Sequence, residues 1–371
     1  MTTPTSAEPA IRSSGFRLGR REWLTLAVMG GVIAALNIVG WGLLIGVVAP
    51  ARYDLGAAGV FGIGLGVTAF TLGMRHAFDA DHIAAIDNTT RKLMAEGQKP
   101  VSVGFWFALG HASVVFALVL LLSLGVRALV GQVADASSTL QTFFGFVGTA
   151  VSGFFLLAIG LINLVILLRI LRLFRGVRSG EVDGAALDAQ LDSRGFLARI
   201  LRGVSKAIRR PRDMYPLGLL FGLGFDTATE VALLVLAGGA AALALPWYAI
   251  LVLPVLFAAG MTLLDTIDGA FMNFAYGWAF AHPMRKLFYN IVVTALSVFV
   301  ALVIGLIEIL SLVADEAGSS SGPLAWVASI NMDSIGFVIV GVFVVTWAAA
   351  VVAWKVGGFD RRWTPGSATA D

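Results

Sequence analysis

Eight stretches of this chain stay apolar for about the thickness of a lipid bilayer. A hydrocarbon core about 30 Å thick takes about 20 residues of α-helix to cross, and the segments 23–48, 59–86, 101–124, 143–173, 217–243, 246–271, 287–312 and 334–354 all meet that length. The expected fold is therefore all-α, an integral membrane bundle of eight transmembrane helices. Composition agrees: 58% of residues are hydrophobic and 13% charged, against about 25% charged in soluble domains, and mean hydropathy is +0.87. The first 22 residues are polar and basic, and the apolar run after them is too long for a signal peptide, so the N-terminus is expected to be retained. With no cysteine, disulfides, thiolate metal sites and cysteine nucleophiles are excluded.

Lysines and arginines orient the bundle, because loops on the cytoplasmic side keep them close to the membrane. The N-terminal tail carries 4, the loop 91–99 carries 3, the region 169–212 carries 11, Arg285 and Lys286 add 2, and the tail from Lys355 adds 3. The opposite loops hold only Arg52 and Arg127, and Arg75 lies within the second span. Both termini are expected in the cytoplasm, and the basic excess, net charge +3, reads as the positive-inside rule rather than a nucleic-acid surface. The chain then divides into a cytoplasmic tail (1–22), helices 1–4 (23–173), a basic cytoplasmic loop (174–214), helices 5–8 (215–354) and a second tail (355–371). Within the loop, apolar positions over 196–208 suit a short interfacial helix. FDAD at Phe78 and FDTATE at Phe225 resemble one another and hint at two related halves.

Against this background one string stands out, RHAFDADHIAAIDN from Arg75 to Asn88. Ionisable groups inside a membrane are costly, and each calls for a partner or a role. The spans contain the acids Asp79, Asp81, Asp87, Asp226, Glu230, Asp265, Asp268 and Glu308, with Arg75 as the base among them, and three of the four histidines, His76, His82 and His111. His111 lies 11 residues past Pro100, Asp226 lies 10 past Pro216, and Asp81 lies 10 before Arg91. At 1.5 Å per residue each is about 15 Å from the cytoplasmic face, near the midplane.

Spacing indicates which groups act together. Asp226 and Glu230 are four apart on one helix face, and Asp265 and Asp268 are three apart, on a face shared with Met261 and Met272. Each pair suits the lining of a cation path. His76, Asp81 and His82 behave differently, since about 100° per residue spreads them around a regular helix. If all three meet one ion, the helix must unwind locally, as in discontinuous transporter helices, and Gly73 is the nearest breaker in the sequence. Bland readings stand beside these: Arg75 is taken as a structural ion-pair partner of Asp79, Met261 and Met272 as packing, Asp87 as lying at the water interface and Glu308 as snorkelling outward. Carboxylate oxygens with imidazole nitrogens suit Ni2+, Co2+, Zn2+ or Mn2+ and do not separate nickel from cobalt.

RHAFDADHI, LGHASVV, LGFDTATE and GMTLLDTID together resemble the nickel/cobalt transporter (NiCoT) family of permeases, over nearly the whole span region. That resemblance implies an eight-helix secondary permease of the cytoplasmic membrane importing Ni2+ or Co2+, with no prosthetic group. It makes His76, Asp81 and His82 (the H-x-x-x-x-D-H signature) and His111 metal-binding residues. Asp226, Glu230, Asp265 and Asp268 match its acidic motifs, and with Asp79 they are expected in the path or behind the ligands. The absence of a histidine-rich loop favours uptake over efflux. An intramembrane metalloenzyme and a proton-coupled carrier of an organic substrate are the rivals, though the zinc-protease string H-E-x-x-H does not occur, and neither does a Walker A string.

Overall fold

The computed structural model describes residues 18–55, 59–123, 138–178, 208–223, 245–279, 283–319, 321–330 and 332–356. Regular structure among them is helical: α1 (Arg20–Leu43), α2 (Ile63–His76), α3 (Ala80–Ala95), α4 (Val103–Ser123), α5 (Thr139–Arg178), α6 (Met214–Gly222), α7 (Trp247–Ala279), α8 (Pro283–Glu316), α9 (Pro323–Ala328) and α10 (Met332–Val356). α1 runs on through a wider π turn, Leu44–Val48, to Ala51. Among the described residues, five helical stretches are long and apolar enough to cross a membrane: Arg20–Ala51, Val103–Leu121, Thr142–Val165, Trp247–Phe274 and Thr294–Glu316. Large apolar side chains lie on the outside of the bundle, Ile38 at 72% exposure and Phe299 at 64%. In water that surface would be an aggregation liability; in lipid it is the expected exterior.

The most buried of the five spans is α7. It packs against α1, α2, α3 and α4, while α8 packs on α5 and α3. Without a hydrophobic drive between helices in lipid, such contacts rely on close van der Waals approach at small residues. Gly73 is one: a Cβ built there would lie 2.1 Å from the Phe257 carbonyl oxygen of α7. Its role is thus helix packing, and the chain break expected beside it lies elsewhere.

That break separates α2 from α3, so the second expected span (59–86) is two helices rather than one. α2 stops at His76 with short-range turns, the Phe78 N–H donating to the Arg75 carbonyl at 2.9 Å and the Asp79 N–H to the His76 carbonyl at 2.9 Å. Asp79 then takes extended backbone angles (φ −63°, ψ 143°) as the N-cap of α3. The Asp79 side chain makes no capping hydrogen bond and turns to His76 instead, while a further acid, Asp81, in the first turn suits the positive end of the helix. Tertiary contacts hold the joint. The Phe78 ring stacks on Phe337 of α10 with centroids 5.0 Å apart, and a Cβ at Gly336 would lie 1.5 Å from the Phe78 carbonyl oxygen.

Two outward readings are corrected by burial. Asp87 is 0% exposed and Glu308 8% exposed, so neither reaches an interface. α3 is enclosed by α5, α7, α8 and α10, and Asp87 accepts a hydrogen bond from the Ser297 hydroxyl of α8. Of the expected interfacial helix at 196–208, residues 196–207 lie outside the described residues, as do Asp226 and Glu230.

Candidate metal centre

The break brings together what a regular helix would have spread apart. His76 ends α2 and His82 sits in the first turn of α3, with ring centroids 4.6 Å apart. His111 enters from α4, its ring 4.7 Å from His76 and 4.9 Å from His82. One ligating nitrogen from each ring lies within 4.8 Å of the others, and among the described residues no other histidine or carboxylate joins the group. The Nε2 atoms of His76 and His111 are 3.2 Å apart. A first-row divalent ion about 2.0–2.1 Å from each nitrogen would place two ligands about 2.9 Å apart at a right angle and about 3.4 Å apart at the tetrahedral angle. The observed spacing falls between these values.

Two of the rings are held from behind by carboxylates. His82 Nδ1 donates to Asp265 Oδ2 of α7 at 3.2 Å, both side chains being 0% exposed. His76 Nδ1 contacts Asp79 Oδ2, three residues on. Each carboxylate fixes its ring with the proton on Nδ1 and leaves the lone pair on Nε2, the arrangement that orients histidine ligands in metal sites. His82 Nε2 has no hydrogen-bond partner among the described residues, and neither do Asp79 Oδ1, Asp265 Oδ1 and Asp268 Oδ2, all buried. Buried polar atoms are rarely left so without reason. The walls are aromatic: Phe107 meets His82 edge-on at 4.7 Å, and Phe257 lies 6.0 Å from His76.

Other expected residues fall around this core. Asp81 Oδ1 accepts from the His82 backbone N–H at 2.9 Å and stands outside the convergent group. Asp268 lies on α7 one turn beyond Asp265. Arg75 is exposed at the end of α2, while Asp79 is engaged by His76. Met261 and Met272 are buried in hydrophobic clusters, in keeping with packing roles.

An inventory confined to ionisable residues overlooked a neutral polar network beside the acids. Asn163 of α5 donates to Asn88 Oδ1 at 2.7 Å, and Asn88 Nδ2 donates to the Ala84 carbonyl at 2.8 Å. The signal was present as amide and hydroxyl residues, Asn163 and Ser297, inside otherwise apolar runs.

A family profile described as "High-affinity nickel-transport protein", NicO, matches residues 62–353. The chain is 56% identical over 344 residues to the nickel transporter NicT of Mycobacterium tuberculosis, covering 93% of this chain and 92% of that protein. It is 43% identical over 349 residues to the nickel transporter NixA of Staphylococcus aureus, with 94% and 99% covered. It is 38% identical over 359 residues to the cobalt transport protein NhlF of Rhodococcus rhodochrous, with 95% and 97% covered. No solved structure matches the chain.

Proposed function

The chain belongs to the NicO family of high-affinity nickel-transport proteins, and from that membership we propose that it imports Ni2+ or Co2+ through the cluster of His76, His82 and His111. It is a membrane transport protein, not an enzyme. The observation that carries the site is the pair of carboxylate-backed imidazoles, His82 on Asp265 and His76 on Asp79, facing a third ring. The contact between the His76 and His111 Nε2 atoms needs one proton between them, and a divalent ion takes that proton's place.

In this reading the three histidines bind the ion, and Asp79 and Asp265 hold rings and balance its charge. Asp81 pins the first turn of α3 and adds negative charge next to His82. Asp268, with Asp226 and Glu230, lines the path, and Arg75 offsets the acids at the end of α2. Eight spans put both termini in the cytoplasm, with the basic segment 174–214 between the fourth and fifth spans, and the protein resides in the cytoplasmic membrane. Transport proceeds by alternating access around this midplane cluster without a prosthetic group. A negative-inside potential favours entry of a dication by about 4.6 kcal/mol per 100 mV, twice the single-charge value.

Uptake of radiolabelled nickel by cells expressing the protein, with cobalt, zinc and manganese as competitors, tests the reading. Accumulation above an empty-vector control, reduced by cobalt, is the expected result. Its absence at normal protein level in the membrane would refute the function.

A further inference from the structure

Away from the histidines, two cavities meet at one end of the bundle. The first, about 700 Å³, is lined by Arg21 at the start of α1, Lys99 between α3 and α4, and Arg210 and Arg212 in the segment leading into α6. Glu22 is the acid among its lining residues, and its Oε2 accepts from the Gly19 backbone N–H at 2.7 Å. The second cavity, about 710 Å³, is walled by Val151, Phe154 and Phe155 of α5 and Leu217 and Leu220 of α6. It too has one acid, Asp213, whose Oδ2 accepts from the backbone N–H groups of Arg209 and Arg210 at 2.8 and 2.9 Å. Both acids are thus engaged with main chain, while the lining of the first cavity is strongly cationic.

Trp106 and Arg212 line both cavities, so the basic chamber and the apolar groove adjoin. The groove also opens outward, since Phe154 is 65% exposed and Leu220 42% exposed. Leu220 lies six residues past the start of α6, about 9 Å deeper along the helix than Met214. A cationic mouth at the bundle end, a tryptophan at the boundary and an apolar wall descending into the membrane together match one kind of molecule. We infer that this composite surface binds an anionic phospholipid of the leaflet on that side, the phosphate headgroup among Arg21, Lys99, Arg210 and Arg212 and an acyl chain along Phe154 and Leu220. Basic pockets between membrane helices take acidic headgroups, and an indole suits the level where headgroup meets chain. The assignment rests on charge complementarity and does not depend on the identity of the transported ion.

The test uses the purified full-length protein in detergent, titrated with dioleoylphosphatidylglycerol or dioleoylphosphatidylcholine and followed by native mass spectrometry. Phosphatidylglycerol should be retained at lower concentration than phosphatidylcholine. The double variant R210Q/R212Q should weaken it by about 25-fold, about fivefold for each charge removed near a headgroup. Leu220→Trp, which fills the groove without changing charge, should also weaken it, and Arg52→Gln, remote from both cavities, should not. Inorganic phosphate should compete only at far higher concentration. Equal retention of the two lipids would overturn the inference. Full displacement by phosphate at comparable concentration, with Leu220→Trp without effect, would reduce the site to a bare anion pocket and overturn it as well. If R210Q/R212Q fails to fold, the wild-type comparison of the two lipids still decides.

Discussion

His82 on α3 and Asp265 on α7 are 183 residues apart in sequence and meet at 3.2 Å with neither side chain exposed to any degree. A histidine isolated in an apolar interior is free to turn about its side-chain torsions. This one is held by a carboxylate that accepts its Nδ1 proton, so its other nitrogen has a fixed direction.

Asp265→Asn keeps the size of the side chain and removes its charge. Loss of a carboxylate behind a ligating histidine lowers metal affinity by about 10–100-fold. Nickel uptake should therefore need a correspondingly higher external concentration while the maximal rate falls less. Uptake against nickel concentration, with membrane abundance measured by immunoblot, checks this; an unchanged half-saturation point would contradict it.

Replacing His76, His82 or His111 by alanine should abolish uptake at low nickel, whereas Asp81→Asn should reduce it by about tenfold, since Asp81 lies outside the convergent nitrogens and acts by charge and by its bond to the His82 amide. Ranking the four variants in one uptake assay separates ligand from neighbour. If Asp81→Asn were as inactive as His82→Ala at equal abundance, Asp81 would have to bind the ion itself.

Protons and metal compete for the same imidazole lone pairs. Metal needs the neutral ring, so binding should weaken as the medium is made more acidic. Binding should also release protons into solution. Calorimetric titrations of nickel in two buffers of different ionisation enthalpy, at mildly acidic and neutral pH, measure both effects. A flat profile would mean that carboxylates alone hold the ion.

Gly73→Ala puts a methyl group 2.1 Å from the Phe257 carbonyl oxygen. Backbone cannot be pushed aside as a side-chain tip can, so α2 and α7 must separate, at a cost of about 1–3 kcal/mol. Thermal unfolding of the purified variant should show the lower midpoint. Uptake per folded molecule should fall too, because the same shift moves His76 away from His111.

The helical class and the three histidines that converge were legible in the sequence because polarity in a membrane chain is sparse: where nearly everything is apolar, each histidine and aspartate is conspicuous. The need for a break near His76 was legible as well, from the angular spread of His76 and His82. Its position was not. Glycine is the usual breaker, yet Gly73 lies inside α2 against Phe257, and the chain turns instead at Asp79, beside the stack of Phe78 on Phe337 from a helix more than 250 residues away. The burial of Asp87 and Glu308 escaped for a related reason. Distance along a helix from its loop gives depth, but not which neighbours close over the outer face.

The joint at Asp79 also sets a mechanical ratio. His82 stands three residues beyond it and Ala95 sixteen, or about 4.5 Å and about 24 Å along the helix axis. A swing of α3 about that point moves its far end roughly five times as far as it moves His82. A displacement of about 5 Å at Ala95 would therefore reach the imidazole as about 1 Å. That is enough to make or break a coordination bond and too little to disrupt the packing around it.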